Sequence, residues 1–257
     1  MSQVQIQPEI SVDDIPLDKI DVSDPGLYQN DSFYPYFKRL RREEPVHYCA
    51  DSPYGPYWSV TRYDDIMKVE LDHATYSSAA HLGGIAIRDN PNGKKMASFI
   101  GMDQPNHTGQ RKAVAPIVAP QNLRNMEATI RQRTADVLDE LPRNETFDWV
   151  DKVSVELTTM MLATLFDFPW EDRHMLTYWS DVSTADFDAP GALVKSDEER
   201  LDILKEMGQY MGKLWEARAV GDPGFDLISM LAQNEATKDM SRMDLIANST
   251  LLIVGGN

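Results

Sequence analysis

From residue 103 to the end of the chain, apolar residues recur at intervals of three, four and seven, a period that confines this stretch to packed amphipathic helices. Leu123, Met126, Ile130, Val137 and Leu141 share one face, Arg131, Arg133, Asp136 and Asp139 lie between them, and Pro142 closes the run. Trp149, Val153, Leu157, Met160, Met161, Leu162, Leu165 and Phe166 build a second helix that becomes apolar nearly all round, the pattern of a central helix. Pro169 opens a third through Met175, Leu176, Trp179 and Val182. Ser196-Asp197-Glu198-Glu199 is a capping box that starts a fourth through Leu204, Met207, Met211 and Leu214. The stretch from Phe187 to Leu193 breaks the chain between those two, and Leu227 to Leu231 is a short apolar run. Ser241-Arg242-Met243-Asp244 caps a last, apolar helix that runs into Leu251-Leu252-Ile253-Val254-Gly255-Gly256-Asn257 with no polar tail or charged last turn. A helix that ends this way reads as cut rather than finished.

The first hundred residues follow other rules. Residues 1–32 alternate short apolar pieces with breakers such as Asp14-Ile15-Pro16 and Ser23-Asp24-Pro25-Gly26, and are expected to form an extended strap. Phe33, Tyr36, Phe37 and Leu40 predict a short amphipathic helix ended by Pro45. Pro45-Val46-His47-Tyr48-Cys49 and Tyr57-Trp58-Ser59-Val60-Thr61 predict a hairpin, and Asp64 to Leu71 another short helix. Ser77 to Ser98 is a long loop, of a length uncommon in compact domains unless it binds something. Leu82, Ile85 and Ile87 in it, with Phe99 just after, are too apolar for a solvated connector. The expected whole is mainly α with a small N-terminal β-hairpin. It reads as one incomplete domain over 1–257, made of the strap, a segment 33–101 with the hairpin and the loop, and a helical part 102–257.

Composition removes several classes of function. With 41 acidic and 25 basic residues the formal charge is −16, a field that repels nucleic acid and anionic membrane surfaces. No segment approaches the eighteen or more apolar residues of a membrane span, and Cys49 is the only cysteine, so a soluble cytoplasmic protein without an intrachain disulfide is expected. His47, His73, His81 and His174 show no metal-site spacing, there is no Gly-rich phosphate loop and no G-x-S-x-G elbow. Cys49, in a strand among aromatic residues, reads as a buried inert thiol.

His107 and Arg111 are what remains with chemistry to offer. They stand four apart just after Asp103 and Pro105, which are helix-start signals, so both side chains leave one face near a helix N-terminus. Guanidinium and imidazole there make a two-pronged anion clamp, helped by the helix dipole. By spacing alone, a surface pair satisfied by a neighbouring acid or by water is the commoner arrangement. Gly255-Gly256 either lets something large approach the backbone or simply ends the helix.

Six segments together resemble a bacterial cytochrome P-450, a haem-thiolate monooxygenase, of the soluble alkane-hydroxylase family. They are Trp58-Ser59-Val60-Thr61-Arg62-Tyr63-Asp64-Asp65, Met102-Asp103-Gln104-Pro105-Asn106-His107, the run from Arg111 to Pro120, the run from Leu141 to Val150, the run from Leu165 to Arg173, and Leu251 to Asn257. The third and fifth are specific to the alkane hydroxylases, whereas Asp-x-Pro-x-His-x3-Arg marks bacterial members of the superfamily more widely. The resemblance implies the N-terminal part of that fold, with haem b as cofactor and His107 and Arg111 holding its propionates. It implies that Gly255 and Gly256 begin the oxygen-binding groove. The acid and threonine that follow in the family, its Glu-x-x-Arg pair and its cysteine ligand loop are absent, so the iron ligand would lie beyond Asn257 and Cys49 matches no part of that loop.

The same resemblance makes Leu82, Ile85, Ile87, Phe99, Leu251 and Val254 candidate substrate walls, with Phe187 and Leu193 near the entrance under a mobile roof. The implied reaction is hydroxylation of the terminal carbon of a medium-chain alkane or fatty acid by O2, with electrons from a ferredoxin and its ferredoxin reductase. The 257 residues alone are expected to be inactive. A terpene, steroid or macrolide substrate is the alternative within the class. A non-catalytic helical module that binds an apolar partner is the alternative outside it.

Overall fold

A computed structural model of the chain describes residues 11–85, 87 and 98–256. Two compact units divide the chain between Lys94 and Lys95, and each has an apolar core of its own. Residues 1–10 of the expected strap, and residues 86 and 88–97 of the expected loop, lie outside the described residues.

The N-terminal unit contains α1 (Pro25–Gln29), α2 (Tyr34–Glu43), β1 (Val46–Cys49), β2 (Tyr57–Val60) and α3 (Tyr63–Leu71). The two strands pair antiparallel with Val46 opposite Val60 and Cys49 opposite Tyr57, so the expected hairpin is present in register. The strap is not merely extended. It forms 3-10 turns at Val12–Asp14 and Leu17–Lys19 and then α1. Asp24 and Pro25, read from the sequence as breakers, are instead a cap and a first helical residue: Asp24 Oδ1 accepts the Gly26 N–H at 2.8 Å. The strap is also tied down. Arg39, only 8% exposed, donates to the carbonyls of Val12 and Ile15, both at 2.5 Å. The ring of buried His47 lies 2.9 Å from the Ile20 carbonyl and 3.2 Å from Glu44. Tyr57 donates to Asp21 at 2.6 Å, and Ile20, Val22 and Leu40 form the unit's core.

The C-terminal unit contains α4 (Asn106–Val114), α5 (Pro120–Asp139), α6 (Glu156–Phe166), α7 (His174–Thr184), α8 (Asp197–Ala219), α9 (Leu227–Gln233) and α10 (Arg242–Gly256). As its all-round apolar sequence requires, α6 packs against α5, α7, α9 and α10, and buries Leu162 and Phe166 almost completely. Helix α10 lies against α6, α7 and α8. Ser196 caps α8 by accepting the Glu199 N–H at 3.2 Å, while the Glu199 carboxylate reaches back to the Lys195 N–H at 2.7 Å, one residue before a regular capping box. Ser241 and Asp244 cap α10 reciprocally at 3.1 and 3.3 Å.

One expected helix start is corrected. Residues Val150–Val155 form π-helical turns before α6, and the Asp148 carboxylate caps their start by accepting the N–H groups of Val150 and Asp151 at 2.8 and 3.2 Å. Trp149 is therefore 54% exposed instead of lying on the apolar face. Among the described residues no helix is long and apolar enough to cross a membrane.

Candidate functional site

Helix α4 begins after Pro105, and His107 and Arg111 both lie on it, one turn apart. It lies close to the segment after α9: a Cβ on Gly109 would come 3.2 Å from the Ala236 methyl, tighter than an ordinary contact. The His107 ring is half-buried beside Phe99, centroid to centroid 6.4 Å. The Arg111 side chain is exposed at the rim of a cleft. Among the described residues, neither the imidazole nor the guanidinium has a hydrogen-bonding or ion-pair partner. A guanidinium and an imidazole of α4 are thus left with their bonding capacity open.

The cleft has a volume of about 330 Å³ and apolar walls. Phe99 and Ile100 come from the 3-10 turn Phe99–Gly101, Val114 from the end of α4, Ile117 and Val118 from the turn after it, Leu162 and Leu165 from α6, and Leu251, Leu252, Gly255 and Gly256 from α10. The two glycines differ in what they leave open. A Cβ on Gly255 would meet nothing within 4 Å, whereas one on Gly256 would stand 2.6 Å from Leu162 Cδ2. The site is therefore a greasy slot, floored by helix backbone, with a guanidinium at its edge. Its chemistry suits a flat apolar body carrying an anionic margin.

No family model matches the chain. It is 32% identical over 253 residues to a linalool 8-monooxygenase of Pseudomonas putida, covering 94% of this chain and 61% of that protein. Among solved structures, cytochrome P450-153 from Novosphingobium aromaticivorans is 45% identical with a TM-score of 0.80, covering 92% of this chain and 59% of that one. CYP153D17 from Sphingomonas sp. PAMC 26605 is 48% identical with a TM-score of 0.79, covering 94% and 60%. The chain belongs to the cytochrome P450 superfamily. It has the fold of the N-terminal part of a cytochrome P450 and spans about 60% of the length of these relatives.

Within this cytochrome P450 chain, five of the residues singled out from sequence meet at the cleft: Phe99, Arg111, Leu251, Gly255 and Gly256. His107 stands behind Phe99, and Val254 is half-buried on α10 off the cleft wall. Leu82, Ile85 and Ile87 belong to the N-terminal unit, where they are 68%, 64% and 51% exposed. Phe187 packs under the Arg200 guanidinium at 4.2 Å, and Leu193 is 51% exposed. Cys49 is buried in β1, its thiol directed at the Asp51 carbonyl at 3.6 Å. Among the described residues no group of three or more His, Cys, Asp or Glu side chains could hold a metal ion.

Sequence reasoning missed the polar residue that ties the site together. Asn248 of α10 is fully buried, accepts the Phe99 N–H at 2.8 Å, and donates to Gln110 Oε1 of α4 at 2.9 Å. The one available signal was an asparagine inside an apolar helical run, a position that burial makes costly unless both ends of the amide are bonded.

Proposed function

We propose that this chain is the cofactor-gripping, substrate-facing part of a haem monooxygenase that hydroxylates the terminal carbon of a medium-chain alkane or fatty acid. One observation above all supports the reading: the Arg111 guanidinium and the His107 imidazole, unpartnered among the described residues and one helical turn apart, stand at and behind the rim of an apolar cleft whose floor at Gly255 is open. These residues fit haem b. The guanidinium offers a planar fork for a propionate, the imidazole a second donor, and the walls an environment that excludes water. Haem held by a thiolate supplies the iron at which O2 is activated. The chain's own residues bind the acidic edge, keep water from the slot and restrict what approaches it. Cys49, directed at a backbone carbonyl within its own unit, is not proposed as the thiolate.

An alkane has no polar handle, so selection for its end must come from shape. Phe99, Leu165 and Leu251 wall the slot without a hydrogen-bonding group among them, which supports a substrate recognised by its hydrocarbon chain. Electrons are proposed to arrive from NAD(P)H through a ferredoxin reductase and a ferredoxin, in the cytoplasm. The Pseudomonas relative is named for linalool, and this favours a second reading in which the substrate is a branched terpene alcohol.

The test uses the protein completed to the length of its relatives. It is expected to purify with haem and to give the reduced-CO band of a thiolate-ligated iron, while the 257 residues alone give none. Arg111→Ala and His107→Ala are expected to speed haem transfer to apomyoglobin about tenfold or more each, as for loss of a charge-assisted hydrogen bond of about 1.5–3 kcal/mol. A colourless full-length protein, or variants that hold haem as tightly as wild type, would overturn the reading. Product analysis with octane against linalool separates the two substrate classes.

A further inference from the structure

We propose that Asn248 is the positioning residue of the cleft, a single buried amide that sets the aromatic wall and the anion-gripping helix against α10, and through them the shape of ligand the slot accepts. The inference rests on the haem reading above for its assay. Its geometry stands apart from that reading.

Asn248 is 0% exposed. Its partners lie far away in sequence, 149 residues for Phe99 and 138 for Gln110, so the amide joins three separately placed elements: the 3-10 turn Phe99–Gly101, α4 and α10. Their orientation follows from one group. The Phe99 backbone N–H can only donate, so the atom that faces it at 2.8 Å must be Oδ1. The Asn248 amino group then faces Gln110, whose amide must present its oxygen, and its remaining capacity goes to Met240 Sδ at 3.7 Å. A backbone donor thereby fixes two side-chain amides in turn, and the same amide joins the Phe99 turn and α4 to α10. Phe99 lines the cleft and Gln110 immediately precedes Arg111, so a slip at Asn248 is felt at the aromatic wall first and at the rim second.

Substitutions divide the roles. Asn248→Leu keeps the branched shape but removes both bonds and leaves the Phe99 N–H unpaired. Asn248→Asp keeps an acceptor for that N–H, and Gln110 can turn its amide to donate to the second carboxylate oxygen, so the bridge survives. The probes are two iron ligands read by their spectral shift: imidazole, too small to touch the walls, and 1-octylimidazole, whose chain must lie along them. In the haem-loaded fraction of the full-length protein, Asn248→Leu is expected to weaken 1-octylimidazole binding about tenfold while imidazole binding stays within about twofold of wild type, and Asn248→Asp to restore most of the loss. A residue that serves stability alone lowers the melting temperature in both variants and leaves the ratio of the two ligand affinities unchanged; that result overturns the proposal. Should the leucine variant not fold, Asn248→Ser, whose hydroxyl cannot reach both partners, gives the same comparison. A wild-type protein without haem refutes the haem reading instead, so the two failures are told apart.

Discussion

Gly208 of α8 is where a single added methyl should do most damage, because a Cβ built there stands 2.3 Å from Ile246 Cδ1 and 2.4 Å from Ile246 Cγ1. Carbon atoms prefer about 3.5–4.0 Å, so the overlap exceeds about 1 Å at both atoms. Cδ1 is a free end and can swing, but Cγ1 is not, and Ile246 is 95% buried against the core of the C-terminal unit. Overpacking of this kind costs about 1–3 kcal/mol or more, while replacing a helical glycine by alanine returns about 1 kcal/mol of backbone entropy. With two atoms overlapping this far the upper end of that cost applies, so the steric loss wins and Gly208→Ala should lower stability by about 1–2 kcal/mol. The decisive measurement is a double-mutant cycle by urea unfolding with Ile246→Ala, which itself costs about 2–5 kcal/mol. In that background the clash is gone, and Gly208→Ala should become neutral or stabilising, a coupling of about 1–3 kcal/mol. An alanine variant at least as stable as wild type, or strictly additive effects, would refute the close packing of α8 on α10.

Ser196→Ala, which removes the cap of α8, should cost about 1 kcal/mol in the same urea assay, and Ser196→Asp should recover most of it. For Asp21, burial alone would push the carboxyl up, but hydrogen bonds from Ser23 and Tyr57 outweigh it and hold the pKa below its ordinary value of 3.8. A depressed folded-state pKa stabilises above the unfolded value and is lost as pH falls through the folded one. The N-terminal unit should therefore weaken below about pH 4, and an Asp21→Asn variant followed by circular dichroism from pH 5 to 2 should lack that limb; an unchanged acid profile would exclude Asp21 as its source.

The helices, their caps and the hairpin were legible because each is a local pattern. Period, capping residues and turn-forming residues act within a few positions, so Ser196, Ser241 and the paired strands could be read directly. The spacing of His107 and Arg111 was legible for the same reason. What failed were places where one local signal has two outcomes. Asp24-Pro25 reads as a break or as a helix start, and in the fold Asp24 caps α1 while Tyr57, Arg39 and His47 from more distant sequence hold the residues before it. Asp148 caps π-helical turns where the period promised an ordinary helix. Periodicity also tells which face is buried but not against what. Leu165 and Ile117 were therefore not foreseen as cleft walls, and Asn248 was passed over although its partners lie beside the residues that carried the functional reading.

Helix α10 shows why the packing of α8 and the shape of the cleft are one problem. Its residues divide by face: Arg242 and Ile246 meet Gly212 and Gly208 of α8, Asn248 holds the Phe99 turn and α4, and Leu251, Leu252, Gly255 and Gly256 line the slot. Successive residues on a helix are about 100° apart, so a rotation by one position would carry the fully buried Ile253 to the place of Leu252, Leu252 to the place of Leu251, and draw Leu251 out of the slot. Within the slot a Cβ at Gly255 would meet open space, while Gly256 lies close on Leu162. The rotation is also held on the opposite side, where Ile246 lies directly on Gly208 of α8, and along the flank, where the Asn248 amide bonds Phe99 and Gln110. Bulk added at Gly208 and loss of the amide at Asn248 should therefore distort the same wall from two sides, and in a common variant their effects on ligand shape selection should not add.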